Sequence, residues 1–133
     1  MKTRRDTFRK YERLCGFSTI SALFKDGDVF YTRLFRIVWK TDPFPCPPGA
    51  RVLFSVSKKS FRSAVTRNII RRRMREAYRR NKHPLYDYLT EQNTCIGFAV
   101  IYKETHVSGY REIEISIMEM IEQFITLLKK TIK

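Results

Sequence analysis

The side chains best equipped for chemistry in this chain are guanidinium groups, and they are concentrated in one place. From Lys58 to Lys82 the sequence reads KKSFRSAVTRNIIRRRMREAYRRNK, where eleven of 25 residues are Lys or Arg and only Glu76 is acidic. The chemistry such groups offer is anion binding: a planar guanidinium grips two phosphate oxygens with parallel hydrogen bonds and stays charged at physiological pH. Groups suited to acid–base, nucleophilic or metal chemistry are not clustered. His83 precedes a proline, His106 falls in an expected turn, and the carboxylates are scattered. No HExxH, P-loop, GxSxG or GxGxxG pattern occurs. A protein nuclease needs carboxylates to hold Mg²⁺, or a histidine base. The residues therefore describe a binder of polyanions and not a catalyst.

An element must present these groups on one side. Between Ala64 and Arg80 there is neither Gly nor Pro, and Arg, Ala, Met and Glu dominate, so the stretch is predicted to be helical. Ser63, or alternatively Ser60, is the expected N-cap, and the residues before Pro84 end the helix by about Asn81. At about 100° per residue, Ile70, Met74 and Ala77 form an apolar stripe with Thr66 and Tyr78 at its margins. Asn68, Arg72, Arg75 and Arg79 fall on the opposite side. Arg67 and Arg71 lie beside them toward Tyr78, while Arg73 and Arg80 sit on the other flank near Glu76. Successive rungs of this column are about 5.4 Å apart, comparable to phosphate spacings along a nucleic acid strand. Like charges three and four residues apart repel and weaken an isolated helix, and bound anions relieve that repulsion. A face kept only for solubility would mix signs.

Composition bounds the rest. The chain has 133 residues, with 27 Lys and Arg against 13 acids, a net charge of +14. A hydrophobic share of 43% supports a real core and excludes a disordered basic tail. We expect one RNA-binding domain over residues 1–133, with residues 1–13 as a basic arm anchored by Phe8, Tyr11 or Leu14. No apolar run is long enough to span a membrane, and the basic N-terminus lacks the apolar stretch of a secretory signal. Cys15, Cys46 and Cys95 are odd in number and widely spaced, which reads as reduced thiols in a cytoplasmic protein, neither a disulfide frame nor a zinc site. No membrane partner and no obligate protein partner are evident.

Along the chain, Phe17 to Lys25 is predicted as a short helix ended by Asp26-Gly27. Val29 to Lys40 is predicted as one strand, with Tyr31, Arg33, Phe35, Ile37 and Trp39 on one face and Thr32, Leu34, Arg36 and Val38 on the other; Arg36 would be buried or cleft-facing. Thr41 to Ala50 carries four prolines and a glycine and reads as a loop. Arg51 to Ser57 is a second strand, running straight into the basic helix. His83 to Gln92 reads as a loop with a turn of helix, and Asn93 to Lys103 as a strand covered on both faces. Tyr110 to Ile132 is predicted as a helix, and its acids make it the region least suited to nucleic acid. The expected order is helix, strand, strand, basic helix, strand, helix, with room for one further short strand: an α/β sandwich with a small mixed sheet. A strand feeding directly into the basic helix does not fit a helix-turn-helix DNA binder, and aromatics on the first helix and strands could stack unpaired bases, which favours RNA.

The stretch RVLFSVSKKSFRSAVTRNIIRRRMREAYRR resembles the signature of the bacterial ribonuclease P protein subunit. That signature is a strand ending Val-Ser-Lys-Lys, then a short loop, then Ala-Val-x-Arg-Asn-x-Ile-Lys-Arg-x-x-Arg-Glu-Ala-[Phe/Tyr]-Arg. Ala64, Val65, Arg67, Asn68, Ile70, Arg72, Arg75, Glu76, Ala77, Tyr78 and Arg79 fill it in register, with Arg71 where Lys is usual. Glu12-Arg13-Leu14 and Leu23-Phe24-Lys25-x-Gly27 are similar to the family's beginning.

The resemblance implies a fold like domain IV of elongation factor G, with a left-handed βαβ crossover through the basic helix. It implies a protein subunit serving maturation of the tRNA 5′ end, in which a large RNA subunit cleaves with Mg²⁺ bound mainly through RNA. The implied partners are that catalytic RNA and precursor tRNA. Arg67, Asn68, Arg71, Arg72, Arg75 and Arg79, with Lys58, Lys59 and Arg62 of the preceding loop, would contact the catalytic RNA. The 5′ leader would lie between the first helix and the sheet, near Phe17, Ile20, Phe24, Arg36 and Val38. Three departures stand out: Ile69 replaces the last residue of the family's Arg-Asn-Arg, Ile20 stands where Phe is frequent, and the loop KKSFRSAV is one residue longer and lacks a glycine. The residues alone leave a second reading, a stand-alone ribosome-associated or DNA-binding protein, which predicts preference for ribosomal RNA or duplex DNA over precursor tRNA. A third is a protein nuclease acting without RNA.

Overall fold

In a computed structural model, residues 8, 12–14, 17–41 and 49–131 are described. The elements are α1 (Phe17–Asp26), β1 (Asp28–Tyr31), β2 (Phe35–Thr41), β3 (Gly49–Val56), α2 (Ala64–Asn81), α3 (His83–Glu91), β4 (Cys95–Tyr102) and α4 (Tyr110–Thr131). The strands form one mixed sheet in the order β1-β2-β4-β3. β1 and β4 pair antiparallel with β2, whereas β3 and β4 are parallel, joined by a crossover through α2 and α3. β4 is thus central, as its continuous apolar character predicts.

Two places differ from the expected order. The stretch Val29–Lys40 is not one strand but a hairpin, because Thr32 breaks it. The Thr32 backbone N–H donates to Phe35 O at 2.9 Å, and the Thr32 hydroxyl accepts from Phe35 N at 3.2 Å. Ser116 of α4 holds this turn from outside, with its hydroxyl 2.9 Å from that of Thr32. The turn resets the alternation, so Tyr31 shares a sheet face with Arg36 and Val38, and Phe30 lies with Ile37. The second difference is α3. Pro84 ends α2 as expected, but it also sits in the first turn of a new helix, where its missing N–H has no partner to lose.

One face of the sheet carries the main core. Phe35, Ile37, Trp39, Val52, Phe54, Ile96, Phe98 and Val100 pack against Ile70, Met74 and Tyr78 of α2, Leu85 and Leu89 of α3, and Ile113, Ile117 and Phe124 of α4. Phe124 meets Phe98 edge-on at 4.9 Å and Trp39 at 5.4 Å. Among the described residues the other face is covered by α1 and Leu14, through a small cluster of Leu14, Leu23, Val38 and Ala99 with Ile20, Leu53 and Ile101 against it. Cys95, at the start of β4, is disulfide-bonded. This corrects the expectation of reduced thiols; Cys15 and Cys46 lie outside the described residues.

Candidate nucleic-acid interface

α2 forms as its sequence dictates. Ser63 caps it, its hydroxyl accepting from Thr66 N at 3.3 Å. The buried residues are Ile70, Met74, Ala77 and Tyr78, the apolar stripe with its margin. The longer loop before the helix is anchored by Phe61, which is buried against Tyr102 with ring centroids 6.0 Å apart. Lys58, Lys59 and Arg62 are exposed on that loop.

The basic residues divide by what they touch. Arg72 and Arg75 are exposed and have no carboxylate partner among the described residues. Asn68, also exposed, accepts a hydrogen bond from Arg71, so these two form a paired donor plate on the helix surface. Arg79 is ion-paired with Glu76, one turn back. Arg67 turns toward its own loop, one guanidinium nitrogen donating to Phe61 O at 2.8 Å and Arg62 O at 2.9 Å. Arg73, on the other flank, holds Ser108 O at 2.7 Å and so ties α2 to the turn before α4. Of the predicted column, Asn68, Arg71, Arg72 and Arg75 form the open part, and Arg67 and Arg79 are braced within the fold. Arg75 has its pKa lowered, first by partial burial and then by the guanidiniums of Arg13 and Arg71.

The second surface is the sheet face beneath α1. Register places Val29, Val38, Ala99 and Leu53 in one row across the four strands, and Tyr31, Arg36, Ile101 and Ser55 in the next. α1 covers the inner part of the first row, Val38, Ala99 and Leu53, and leaves Val29 exposed at the edge. Val38 is accordingly buried at 1% exposure, so it supports the cleft without reaching a ligand. The second row is more open: Arg36 is exposed rather than buried, and Tyr31 is 58% exposed with the Lys103 ammonium 5.3 Å from its ring centroid. Ile20 is half-buried and Phe24 is 42% exposed at the rim. Phe17 opens α1, and its side chain lies outside the described residues. The floor thus joins apolar groups, an open aromatic and cations, group types able to stack bases and pair with phosphates.

Sequence reasoning missed the anchor beside α2. Glu12 and Lys82 are both buried and ion-paired, and the Tyr86 hydroxyl donates to Glu12 at 2.7 Å. A mainly basic arm with two acids carries no local sign of this pairing.

Among the described residues no group of three or more His, Cys, Asp or Glu side chains could hold a metal ion, and no helix is long and apolar enough to cross a membrane. A parallel-crossover α/β domain with an open arginine face and a cationic, partly aromatic sheet face is an RNA-binding module. The ribonuclease P family model matches residues 8–107. A ribonuclease P protein component of Porphyromonas gingivalis is 35% identical over 105 residues, covering 79% of this chain and 77% of that one. One from Chlorobium phaeobacteroides is 39% identical over 89 residues, covering 65% and 61%. Among solved structures, the RNase P protein of Thermotoga maritima superposes with a TM-score of 0.66 at 19% identity, covering 84% of this chain and 96% of that one. That of Staphylococcus aureus gives 0.64 at 22%, covering 85% and 94%.

The chain belongs to the ribonuclease P protein family. It is a protein component of the endoribonuclease that processes the tRNA 5′ end, a family that works with an RNA subunit. This reading displaces the stand-alone ribosome-associated or DNA-binding alternative.

Proposed function

We propose that the chain docks on the catalytic RNA through the open face of α2 and holds the 5′ leader of precursor tRNA against the sheet face beside α1, in the cytoplasm. The RNA contacts are Asn68, Arg71, Arg72 and Arg75, with Lys58, Lys59 and Arg62 at the loop end and Arg67 and Arg79 lending charge from braced positions. The leader contacts are Ile20, Phe24 and Arg36. Mg²⁺, bound mainly through the RNA, supplies the charge that phosphodiester cleavage needs. The protein's own work is electrostatic: guanidiniums offset the repulsion between two RNA backbones and lower the Mg²⁺ demand of the assembly.

The observation that carries this reading is the pair Arg72 and Arg75, exposed opposite the buried stripe with no carboxylate partner among the described residues. The test is reconstitution with a candidate catalytic RNA, scoring 5′ cleavage of precursor tRNA. If about six phosphates are neutralised, affinity for the RNA falls roughly a thousandfold between about 50 and 200 mM salt. Arg72→Ala with Arg75→Ala is expected to lower that salt slope by about two and to cut cleavage at limiting Mg²⁺, with recovery at high Mg²⁺. Unchanged low-Mg²⁺ cleavage by the double variant would sink the proposal. For the second surface, Arg36→Ala is expected to shrink the preference for precursor over mature tRNA while leaving affinity for the catalytic RNA intact.

A further inference from the structure

At the edge of the sheet, the fold brings together positive charges that the sequence keeps far apart. β3 is an edge strand, and the segment before α1 lies along it. Leu14 N donates to Val52 O at 2.9 Å, and Arg13 forms a single parallel bridge with Val52. Two buried side chains fix this segment. Leu14 packs with Leu23, Val38 and Ala99, and Glu12, 3% exposed, is held by Lys82 and Tyr86. Arg13, between these two buried side chains, is itself exposed. Its guanidinium stands 5.8 Å from the centroid of Phe8, which itself meets Tyr78 of α2 edge-on at 6.0 Å. Tyr78 lies one turn from Arg75 and two from Arg71 on the same helix. The Arg13 guanidinium and that of Arg71 both act on Arg75, so the three charges lie within electrostatic reach around it. Among the described residues, the acids adjoining these positions in sequence are both engaged, Glu12 with Lys82 and Glu76 with Arg79, so neither neutralises this cluster.

We propose that Arg13 is a further RNA phosphate contact, continuing the arginine face of α2 off the helix and along the β3 edge, where the buried Glu12–Lys82–Tyr86 cluster holds it in place. The inference rests on the RNA-docking reading and adds to it. A column on one helix leaves an RNA strand free to pivot about the helix axis. A cation fixed on a second element, away from that axis, sets the strand's direction. Like charges held together without a counter-ion weaken the free protein, and a bound phosphate removes that penalty.

The test measures affinity of the full chain for the catalytic RNA across a salt series. Arg13→Ala is expected to weaken binding several-fold and reduce the slope of log affinity against log salt by about one, while Arg13→Lys keeps the slope. An unchanged slope and affinity for Arg13→Ala, alongside a loss for Arg75→Ala, overturns the inference and leaves α2 docking intact. No loss from either variant fails the docking reading itself. Lys82→Met tests the positioning: it is expected to lose about as much slope as Arg13→Ala, and the combined variant no more than either. A combined loss equal to the two added together overturns the role assigned to the buried cluster.

Discussion

Of the eleven basic residues between Lys58 and Lys82, Lys82 alone is buried. Its ammonium pairs with Glu12 and sits 4.9 Å from the centroid of the Tyr86 ring, and the Tyr78 hydroxyl donates to that of Tyr86 at 3.3 Å. Two phenols thus share a pocket with a carboxylate. Burial, followed by Tyr78 itself, pushes the Tyr86 pKa far above the ordinary range, and burial does the same for Tyr78. A group whose folded pKa is raised contributes stability that is complete below its unfolded value, about 10 for tyrosine, and is lost as pH climbs beyond it. We therefore expect stability to fall with rising pH from about 10 upward. Of the seven tyrosines, Tyr78 and Tyr86 should ionise only on unfolding, as followed by phenolate absorbance. Seven ordinary titrations in a still-folded chain would contradict this. The column on α2 was legible because helical periodicity is local: residues three and four apart share a face in any context. The Glu12–Lys82 pair was not, since its members are 70 positions apart and nothing in either neighbourhood encodes the other. Arg67 illustrates the same limit, for its side of the helix was readable but its bonds back to Phe61 and Arg62 were not.

At the scale of elements, the cleft proposed to take the leader depends on how closely α1 lies on the sheet, and Gly27 sets that distance. Its N–H donates to Leu23 O at 2.8 Å, closing the helix. A Cβ at this position would stand 2.5 Å from Leu23 O and 2.8 Å from Val38 Cγ1. Neither atom can yield easily, because Leu23 and Val38 are buried against each other. Gly27→Ala is expected to destabilise the fold by about 1–3 kcal/mol and to lift α1 from the sheet. Thermal unfolding would show the first effect. Binding would show the second, as a reduced preference for precursor over mature tRNA with normal affinity for the catalytic RNA; full retention of that preference would mean α1 does not shape the leader site. Which elements were readable follows the same logic. α2 declares itself by strong helical periodicity and a clear end, β3 and β4 by β-branched and apolar runs, and α4 by its apolar face, although its opening EIEISI also alternates like a strand. The β1–β2 turn was hidden because Thr32 is itself a good strand former, and the hydroxyl that holds its bend from outside comes from α4, 84 positions away. α3 was hidden because a proline that stops one helix is equally suited to start the next.

For the whole molecule, function and stability pull against each other. The net charge is +14, and four of the 13 acids lie on α4, where Glu112 meets Arg33 and Glu114 meets Arg111, so they do little for the open arginines of α2. In the folded state these guanidiniums are held within one or two helical turns of each other, whereas in the unfolded chain they separate. The open arginine face is thus a cost to the free protein, and two outcomes follow. Arg72→Ala with Arg75→Ala, while weakening RNA docking, should raise the melting temperature at low salt, because it removes like-charge repulsion at exposed positions. Sulfate should stabilise the wild-type chain through the same sites: an anion that binds only the folded form contributes about 1.4 kcal/mol at roughly ten times its Kd, a shift of a few degrees in Tm. Sulfate also strengthens apolar burial in any protein, so the decisive measurement is a difference. Melting curves of the two chains in sulfate and in chloride, at equal ionic strength, separate the contributions, since general salting-out acts on both and site occupancy only on the wild type. A larger sulfate gain for the wild type supports phosphate-like docking on α2; equal gains would show that the open arginines bind no anion and that the repulsion argument fails.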